Sequence, residues 1–368
     1  MTTFGAIEYC RRRYVNEVGE VAYPLDKLIG WDKYTRYSTL LVRNLGELAT
    51  KLTYRSAAKA VELLSPITIS HQKINQLVKQ AGRHLKEQQT SDERYDELTT
   101  QKRTPKTLYI EGDGFQMSTV GNKRLEIHRF QICEGVCSAG KNRKERICAR
   151  DFISTDRQLV VKEVIEYIEN TYNLKNTLVI SNGDGGVGYT KDVFDEISCN
   201  PARHEYFLDT FHVNKKIKER LIFAKELQEP LMHAISKEYD RKRVEVLLNT
   251  AESLLIDELD TEKNHDYLQK LRGYIDRNWE YIKPFEQRGL GNVQKITGTC
   301  ESNHRLYTYR IKGQGKYWTK EGAESMIRFI SSLKNNDLDM WLNTEYHVSA
   351  SFPEYEKQWR VAIRVATA

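Results

Sequence analysis

Lys106-Thr-Leu-Tyr-Ile-Glu-Gly-Asp-Gly114 joins a β-prone apolar run to an aspartate that lies between two glycines. The pattern predicts a strand over residues 107–110 that stops at residues 111–114. The same pattern returns at Thr177-Leu-Val-Ile-Ser-Asn-Gly-Asp184-Gly-Gly186. A solvated Asp-Gly turn would explain either copy alone. Two strand ends that each present an aspartate predict a shared carboxylate site.

The composition indicates a mildly basic chain with reduced thiols. Of 368 residues, 57 are Lys or Arg and 51 are Asp or Glu, and this excess favours a polyanionic partner. The six cysteines form no CxxC pair, so a zinc ribbon is not supported. No apolar run reaches the ~20 residues that span a bilayer, and the N-terminus lacks the features of a signal peptide. We therefore expect a cytoplasmic protein that does not contact a membrane.

The elements after residue 105 are typical of an α/β fold. Periodicity predicts strands at 107–110, 124–133, 146–153, 177–181 and 205–208, and helices at 157–172 and 191–198. A turn at Val120-Gly-Asn-Lys123 makes the first strands an antiparallel meander. This is the element order of the ribonuclease H-like fold. We therefore expect a ribonuclease H-like core with a mixed five-stranded sheet, in which adjoining first and fourth strands bring Asp113 beside Asp184.

The region before the sheet is helical. Apolar residues recur at helical spacing over 32–90, Ser65-Pro66 stops one helix, and Ser70 can cap the next. The polar face of that last helix offers His71, Gln72, Lys73, Asn75, Gln76 and Lys79. Gln and Asn can pair with adenine, and Lys can meet guanine or phosphate, so a DNA-binding helix-turn-helix is one interpretation. An ordinary helical hairpin with a solvated face is equally consistent with this segment.

These patterns divide the chain into six units. They are a β-hairpin remnant of an N-terminal module at 1–30, a helix-turn-helix-like DNA-binding region at 31–104, the first part of the ribonuclease H-like core at 105–212, an all-helical insertion at 213–289, the last part of the core with a third acid at 290–340, and a C-terminal tail at 341–368.

Further acids could complete a metal site. Mg²⁺ takes oxygen ligands, and two ions ~3.5–4 Å apart can hold the attacking and leaving oxygens of a phosphodiester. Besides Asp113 and Asp184, such a site needs a third carboxylate. Glu301, which follows a glycine-rich return from the insertion, is the first candidate, and Glu324 is the second. A surface position is the simplest explanation of any single glutamate in a chain with 51 acids.

Asp209-Thr-Phe-His212 ends the fifth predicted strand. The two polar side chains can share one face of a helix start, where they could orient a phosphate or the scissile strand. Asp209 is also well placed to cap the helix that begins there. Both interpretations can hold together.

The strings Ile110-Glu-Gly-Asp113, Ser181-Asn-Gly-Asp184-Gly and Asp209-x-x-His212, with Glu301 and the following Tyr317-Trp-Thr-Lys-Glu-Gly-Ala323, together resemble bacterial insertion-sequence transposases of the ISLre type. These are similar to the Mutator-like group of DDE transposases. The resemblance implies a catalytic and metal-binding triad of Asp113, Asp184 and Glu301, with two Mg²⁺ ions for which Mn²⁺ can substitute. Asp209 and His212 would be accessory residues.

The same resemblance implies a nucleoid-associated homo-oligomer that acts on double-stranded DNA at the element's ends and at its target. Basic and aromatic residues after Glu301 are further candidates for DNA contact: Arg305, Arg310, Lys312 and Trp318. Members of the group carry more sequence upstream of the position of Met1. The resemblance therefore implies an N-terminally truncated copy, and a catalytically inactive DNA-binding remnant is the alternative function.

A competing motif lies in the second Gly-Asp-Gly copy. Residues 183–188 formally satisfy GxGxxG after a strand, and Asp209 follows where a dinucleotide site places an acid for ribose. The preceding strands look antiparallel, however, and Asp184 would put a negative charge in a loop meant for pyrophosphate. An NAD-binding oxidoreductase is therefore a remote alternative.

Overall fold

The structure, a computed structural model, describes residues 1–8, 10, 12–15, 21–28, 36–90, 101–140, 143–257, 261–313 and 316–342. Part of the predicted β-hairpin remnant at 1–30, residues 91–100 of the predicted DNA-binding region and the tail beyond residue 342 lie outside these ranges. Statements about structure below concern the described residues.

The chain folds as a mixture of strands and many helices. The strands are β1 Tyr14–Val15, β2 Val21–Ala22, β3 Thr107–Ser118, β4 Arg124–Cys133, β5 Gly135–Gly140, β6 Arg143–Ile147, β7 Arg150–Ser154, β8 Leu178–Gly183 and β9 Arg203–Leu208. The helices are α1 Pro24–Leu28, α2 Thr39–Lys51, α3 Tyr54–Leu64, α4 His71–Gln89, α5 Arg157–Thr171, α6 Lys191–Ile197, α7 Thr210–Arg220, α8 Gln228–His233, α9 Arg241–Ser253, α10 Thr261–Asn278, α11 Thr299–Asn303, α12 Arg305–Ile311, α13 Lys320–Asn335 and α14 Leu338–Trp341.

A five-stranded mixed sheet forms the centre, in the order β7-β4-β3-β8-β9. β4 pairs antiparallel with both β3 and β7, whereas β8 pairs parallel with β3 and β9. The predicted mixed α/β sheet is thus confirmed, and so is the contact between the first and fourth of its strands. Even-numbered residues of β3 such as Ile110 face α5 and α6, while odd-numbered residues face the opposite side.

Two predicted strands were wrong in extent. β3 does not stop at residue 110 but runs for 12 residues, through Asp113, because its outer half pairs with β4 alone. The predicted strand at 146–153 is broken at Cys148, whose φ is +51°. The residues before that break belong to β6, which forms a separate hairpin with β5. The sequence pattern did not predict this hairpin.

The N-terminal helices share a hydrophobic cluster with α13 and the outer end of the sheet. Ser70 caps α4 as predicted, since its Oγ accepts from the Lys73 backbone N–H at 3.2 Å. The predicted apolar face of α4 is buried in this cluster. A Cβ at Gly82 would collide with the Ser325 backbone, so α4 and α13 approach as closely as a glycine permits. These helices are packed onto the rest of the fold rather than standing apart.

Helices α7–α10 surround a second cluster of their own, which confirms the helical character predicted for this segment. Val213 and Ile217 of α7 contribute to it, and Leu208 at the end of β9 joins it to the sheet. No helix within the described ranges is long and apolar enough to cross a membrane.

Candidate functional site

Three acids lie at matching positions of three adjoining chain segments in the sheet. In the parallel registers, Glu111 lies opposite Asn182, and Asn182 lies opposite Phe207. Two residues further along each chain come Asp113, Asp184 and Asp209. Because adjoining strands are about 4.8 Å apart, these acids lie at neighbouring positions, with Asp113 inside β3 and the other two directly after β8 and β9. We call Asp113, Asp184 and Asp209 the acid row.

Asp113 is 6% exposed and lies between two imidazoles. Its Oδ1 accepts from the Gly114 N–H at 2.7 Å. Its Oδ2 is 4.0 Å from His212 Nε2 and 3.8 Å from His304 Nδ1. Burial, with a further contribution from the Arg129 guanidinium, lowers the pKa of His304 to about 3, so this imidazole is neutral near pH 7. His304 carries no sequence signal and was missed.

Asp184 directly follows β8 and is half-buried. Its Oδ1 accepts from the Gly186 N–H at 2.8 Å across a turn in which Gly185 has a φ of +73°. Helix α10 brings Tyr274 near it: burial raises the pKa of Tyr274 to about 12, and the charge of Asp184 adds to that rise. The helical segment therefore reaches the acid row through a buried phenol that the sequence reading did not single out.

Asp209 caps α7, as predicted, because its Oδ1 accepts from the Phe211 N–H at 2.9 Å. A Cβ added at Gly298 would lie 3.3 Å from the same Oδ1, so the chain that leads into α11 passes directly over Asp209. The cap fixes the first turn of α7, and His212 in that turn thereby faces Asp113. The role of the pair in orienting a phosphate stays a prediction.

Glu111 holds the start of α11. It lies on the same face of β3 as Asp113, is 2% exposed, and accepts from the backbone N–H groups of Thr299 at 2.7 Å and Cys300 at 3.1 Å. A carboxylate at this position also meets the positive end of the helix dipole. Glu111 is therefore a buried helix cap.

Further buried polar groups on the sheet hold α11 in place. Gln131 donates to Glu111 Oε1 at 3.1 Å and to Thr299 Oγ1 at 2.7 Å. Arg129 donates to the Cys300 carbonyl at 3.0 Å and to Asp151 Oδ1 at 2.8 Å. We call Glu111, Gln131, Arg129 and Asp151 the α11 cradle. It fixes the helix that carries Glu301, whose own side chain lies outside the part of the chain that the structure describes.

Glu324, the second candidate for the third acid, is committed to other contacts. Its carboxylate accepts from Ser154 Oγ at 3.0 Å, from the Thr155 N–H at 2.7 Å and from Arg328 Nε at 3.0 Å. Burial opposes its ionisation, but the Arg328 guanidinium and the Thr155 N–H hold the pKa of Glu324 below its ordinary value. These contacts tie α13 to the end of β7, and they favour Glu301 over Glu324.

The polar face of α4 is partly available to a partner. Gln72 and Gln76 are exposed, whereas Asn75 is half-buried. Lys73 donates to Gln76 Oε1 at 3.0 Å, and Lys79 lies 3.8 Å from a carboxylate oxygen of Glu321 in α13. DNA binding by this face stays a prediction.

Two residues that were predicted to contact DNA have side chains buried inside the fold, which leaves little surface for such a contact. Arg310 is 4% exposed, donates to the Ala49 carbonyl and lies over the rings of Tyr54 and Trp318. Trp318 is 8% exposed and donates to the Ile311 carbonyl at 3.1 Å. The other two candidates of that group, Arg305 and Lys312, are exposed.

The donor set at the acid row fits a hard divalent cation. Among the residues whose side chains are described, no three His, Cys, Asp or Glu groups are arranged to hold a metal ion. Mg²⁺, however, is commonly bound through one or two carboxylates together with waters and substrate phosphates. Asp113 and Asp184 offer two such carboxylates on neighbouring strands, and Glu301 lies on the helix that the cradle holds.

Comparison with known proteins identifies relatives along nearly the whole chain. Residues 1–342 match the model of a family described as "Uncharacterised protein family (UPF0236)". A UPF0236 protein in the vanSb 3′ region of Streptococcus gallolyticus is 36% identical over 93% of this chain and 74% of its own length. One from Caldanaerobacter subterraneus subsp. tengcongensis is 22% identical over 99% of this chain and 74% of its own length.

Among solved structures, the Drosophila P element transposase strand transfer complex is similar with a TM-score of 0.26 and 12% identity, covering 88% of this chain and 84% of that one. That score is too low to bear on the fold. The family match and the sequence identity to the streptococcal protein, by contrast, extend over the sheet, the acid row and the α11 cradle together. The chain therefore belongs to the UPF0236 family.

Proposed function

We propose that this protein is a DDE transposase that cleaves DNA strands and transfers them during transposition of an insertion sequence. The acid row carries the proposal, because it brings Asp113 of β3 beside Asp184, which follows the adjoining strand β8, although they are far apart in the sequence. The strand order β7-β4-β3-β8-β9, with one antiparallel and one parallel half, supports a ribonuclease H-like core. The motif order further supports the ISLre-type, Mutator-like assignment.

In this proposal, Asp113, Asp184 and Glu301 hold two Mg²⁺ ions, or Mn²⁺ in their place. When bound, such ions supply positive charge that stabilises the transition state of phosphoryl transfer. Glu111 and the rest of the α11 cradle hold the helix of Glu301 in position. His212 flanks Asp113, and its backbone is fixed by the Asp209 cap, so it can orient a phosphate or the scissile strand.

The proposed chemistry has two displacements at phosphorus. Water forms a new P–O bond as the P–O3′ bond breaks, which leaves a 3′-hydroxyl and a 5′-phosphate. That 3′-hydroxyl then attacks a phosphodiester of target DNA and releases a second 3′-hydroxyl. In each displacement the proton of the attacking oxygen ends on the leaving oxygen. Asp113 is 6% exposed, and charges in such a shielded position act more strongly than in water.

The proposed partner is double-stranded DNA, bound by a homo-oligomer. The basic excess of the chain supports a polyanionic partner. The exposed Gln72 and Gln76 of α4 support base contact, and the exposed Arg305 and Lys312 support phosphate contact near α11.

A nicotinamide-dependent function has less support. In a dinucleotide site, the backbone N–H groups of the glycine loop point at the pyrophosphate. Here the Gly186 N–H is already bonded to the Asp184 carboxylate at 2.8 Å.

The proposal is tested by nicking of DNA duplexes taken from the genomic flanks of this protein's gene, with Mg²⁺ or Mn²⁺. We expect the wild-type protein to nick them and Asp113→Asn to lose that activity. Asp266→Asn, an exposed acid of α10, is the control and should retain it. Equal nicking by Asp113→Asn would show that the site is wrong. A wild-type protein that binds these duplexes but never nicks them would instead be a DNA-binding remnant.

A further inference from the structure

A groove of about 410 Å³ lies beside the candidate site, between the C-terminal end of α2 and helices α12 and α13. Lys51, Arg305, Tyr309 and Lys334 line it, together with Asn303 at the end of α11. Asn303 and Arg305 flank His304, whose Nδ1 is 3.8 Å from Asp113 Oδ2. The groove therefore begins within one helical turn of a residue that contacts the acid row.

The groove carries an excess of positive charge. Lys51, Arg305 and Lys334 are exposed, and none of them forms an ion pair with an acid in the described part of the chain. Asp151 also borders the groove, but its buried carboxylate is paired with Arg129 at 2.8 Å. Three cations at the rim of one groove favour an anionic ligand with several charges.

An aromatic ring lies among these cations. Tyr309 is 61% exposed, although its helix neighbours Tyr307 and Arg310 are buried. Exposed aromatic rings next to cations are the feature by which proteins bind single-stranded nucleic acid, because a base stacks on the ring while the cations follow the phosphates. A volume of 410 Å³ is in the range of small-ligand pockets, so it suits a single nucleotide rather than a duplex.

We propose that this groove binds unpaired DNA next to the scissile phosphate, with one base stacked on Tyr309 and the flanking phosphates held by Lys51, Arg305 and Lys334. The proposal rests on the proposed function in that it takes the ligand to be DNA. It adds a single-stranded segment at the strand end, which neither the acid row nor the face of α4 requires.

The test is fluorescence anisotropy of the full chain with a labelled 12-nucleotide single strand and with the matching duplex, in EDTA. We expect Tyr309→Ala to weaken single-strand binding about tenfold and Tyr309→Phe, which keeps the ring, to bind like wild type. We also expect Lys51→Ala, Arg305→Ala and Lys334→Ala each to reduce the slope of log Kd against log salt by about 0.7.

Lys242 is an exposed cation of α9, and Lys242→Ala is the matched control. It should change neither the affinity for the single strand nor the slope of log Kd against log salt. The proposal is wrong if Tyr309→Ala binds the single strand like this control. It is also wrong if Tyr309→Ala weakens duplex binding as much as single-strand binding, since the groove would then follow the duplex backbone. Because metal is absent, a protein that never nicks DNA can still pass this test, so failure of the groove and failure of the proposed function are distinguishable.

Discussion

Helices α11 and α13 each carry an acid that the sequence offers as the third member of the site, and they are held in place by different means. α11 spans Thr299–Asn303 and is fixed by the polar groups of the α11 cradle. α13 spans Lys320–Asn335 and is buried continuously from Gly322 to Ser332. In α11 another residue's carboxylate, that of Glu111, caps the helix, whereas in α13 the carboxylate of Glu324 is itself one of the attachments.

This difference suggests how a buried acid acquires a role. One turn of helix is not stable alone, so α11 needs external partners to keep a fixed position. Those partners are Glu111, Gln131 and Arg129, which bond to Thr299 and Cys300 at the start of the helix. Glu324 is in the opposite situation, because Ser154, Thr155 and Arg328 all bond to it. An acid that the sequence offers for chemistry, such as Glu324, can therefore be structural.

The largest effect expected from this comparison is on nicking. Glu301→Gln should reduce metal-dependent nicking about 10³-fold, because loss of one metal-bound carboxylate removes several kcal/mol of transition-state stabilisation. Glu324→Gln, normalised to folded protein, should nick like wild type. Both variants are assayed on the same duplex with Mg²⁺. If Glu324→Gln were the inactive one, the assignment of the two helices would be reversed.

The next effect is on stability. Arg328→Met leaves Glu163 and Glu324 buried without their guanidinium partner, and it should lower the free energy of unfolding by about 3–5 kcal/mol. Urea denaturation near pH 7 measures this, with Lys320→Met on the exposed start of α13 as the control. If Arg328→Met lowered the free energy of unfolding no more than the control does, the apolar contacts of α13 would suffice without the ion pairs.

The ion pair between Arg328 and Glu324 also predicts how the stability of the protein changes with pH. The pKa of Glu324 is lowered in the folded protein, so its contribution to stability is present above its ordinary pKa of 4.5 and is lost as the pH falls through the folded value. Acidification should therefore destabilise the wild-type protein more steeply than Arg328→Met, because the variant lacks the charge that lowers this pKa. Equal pH slopes for the two proteins would contradict the role given to Arg328.

A smaller effect is expected in the cradle. Glu111→Gln should raise the Mn²⁺ concentration for half-maximal nicking about 10–100-fold, as is usual when a residue that orients a metal ligand is changed. High Mn²⁺ should restore much of the rate. A purely structural role would instead lower the rate by the same factor at every Mn²⁺ concentration. Glu145→Gln, an exposed acid of β6, is the control.

The sequence predicted what depends on local pattern and on strand order. Asp113 and Asp184 were placed on adjoining strands because apolar runs and helical spacing are readable along the chain. Ser70 and Asp209 were found as helix caps for the same reason. The break at Cys148 was missed, because nothing in its neighbours requires the positive φ that the backbone adopts there.

Long-range packing explains what the sequence could not give. His304 and Tyr274 approach the acid row only because α10 and the chain after α11 fold back onto this part of the sheet. Arg310 was taken for a DNA contact because a cation beside aromatic residues has the same pattern whether it is exposed or, as here, buried between Tyr54 and Trp318. The identity of a side chain does not show which of these environments surrounds it.

The smallest expected effect tests whether α13 also acts as a scaffold for α4. Because α13 packs against the apolar face of α4, the outer residues Gln72 and Lys73 are displayed at a fixed angle. Gln72→Ala should weaken duplex binding about fivefold, and Lys73→Ala should lower the salt slope by about 0.9 for one lost phosphate contact. Gln80→Ala, exposed two turns further along α4, should bind like wild type. If all three variants bind alike, α4 is part of the scaffold together with α13, and DNA recognition must come from the neighbourhood of α11.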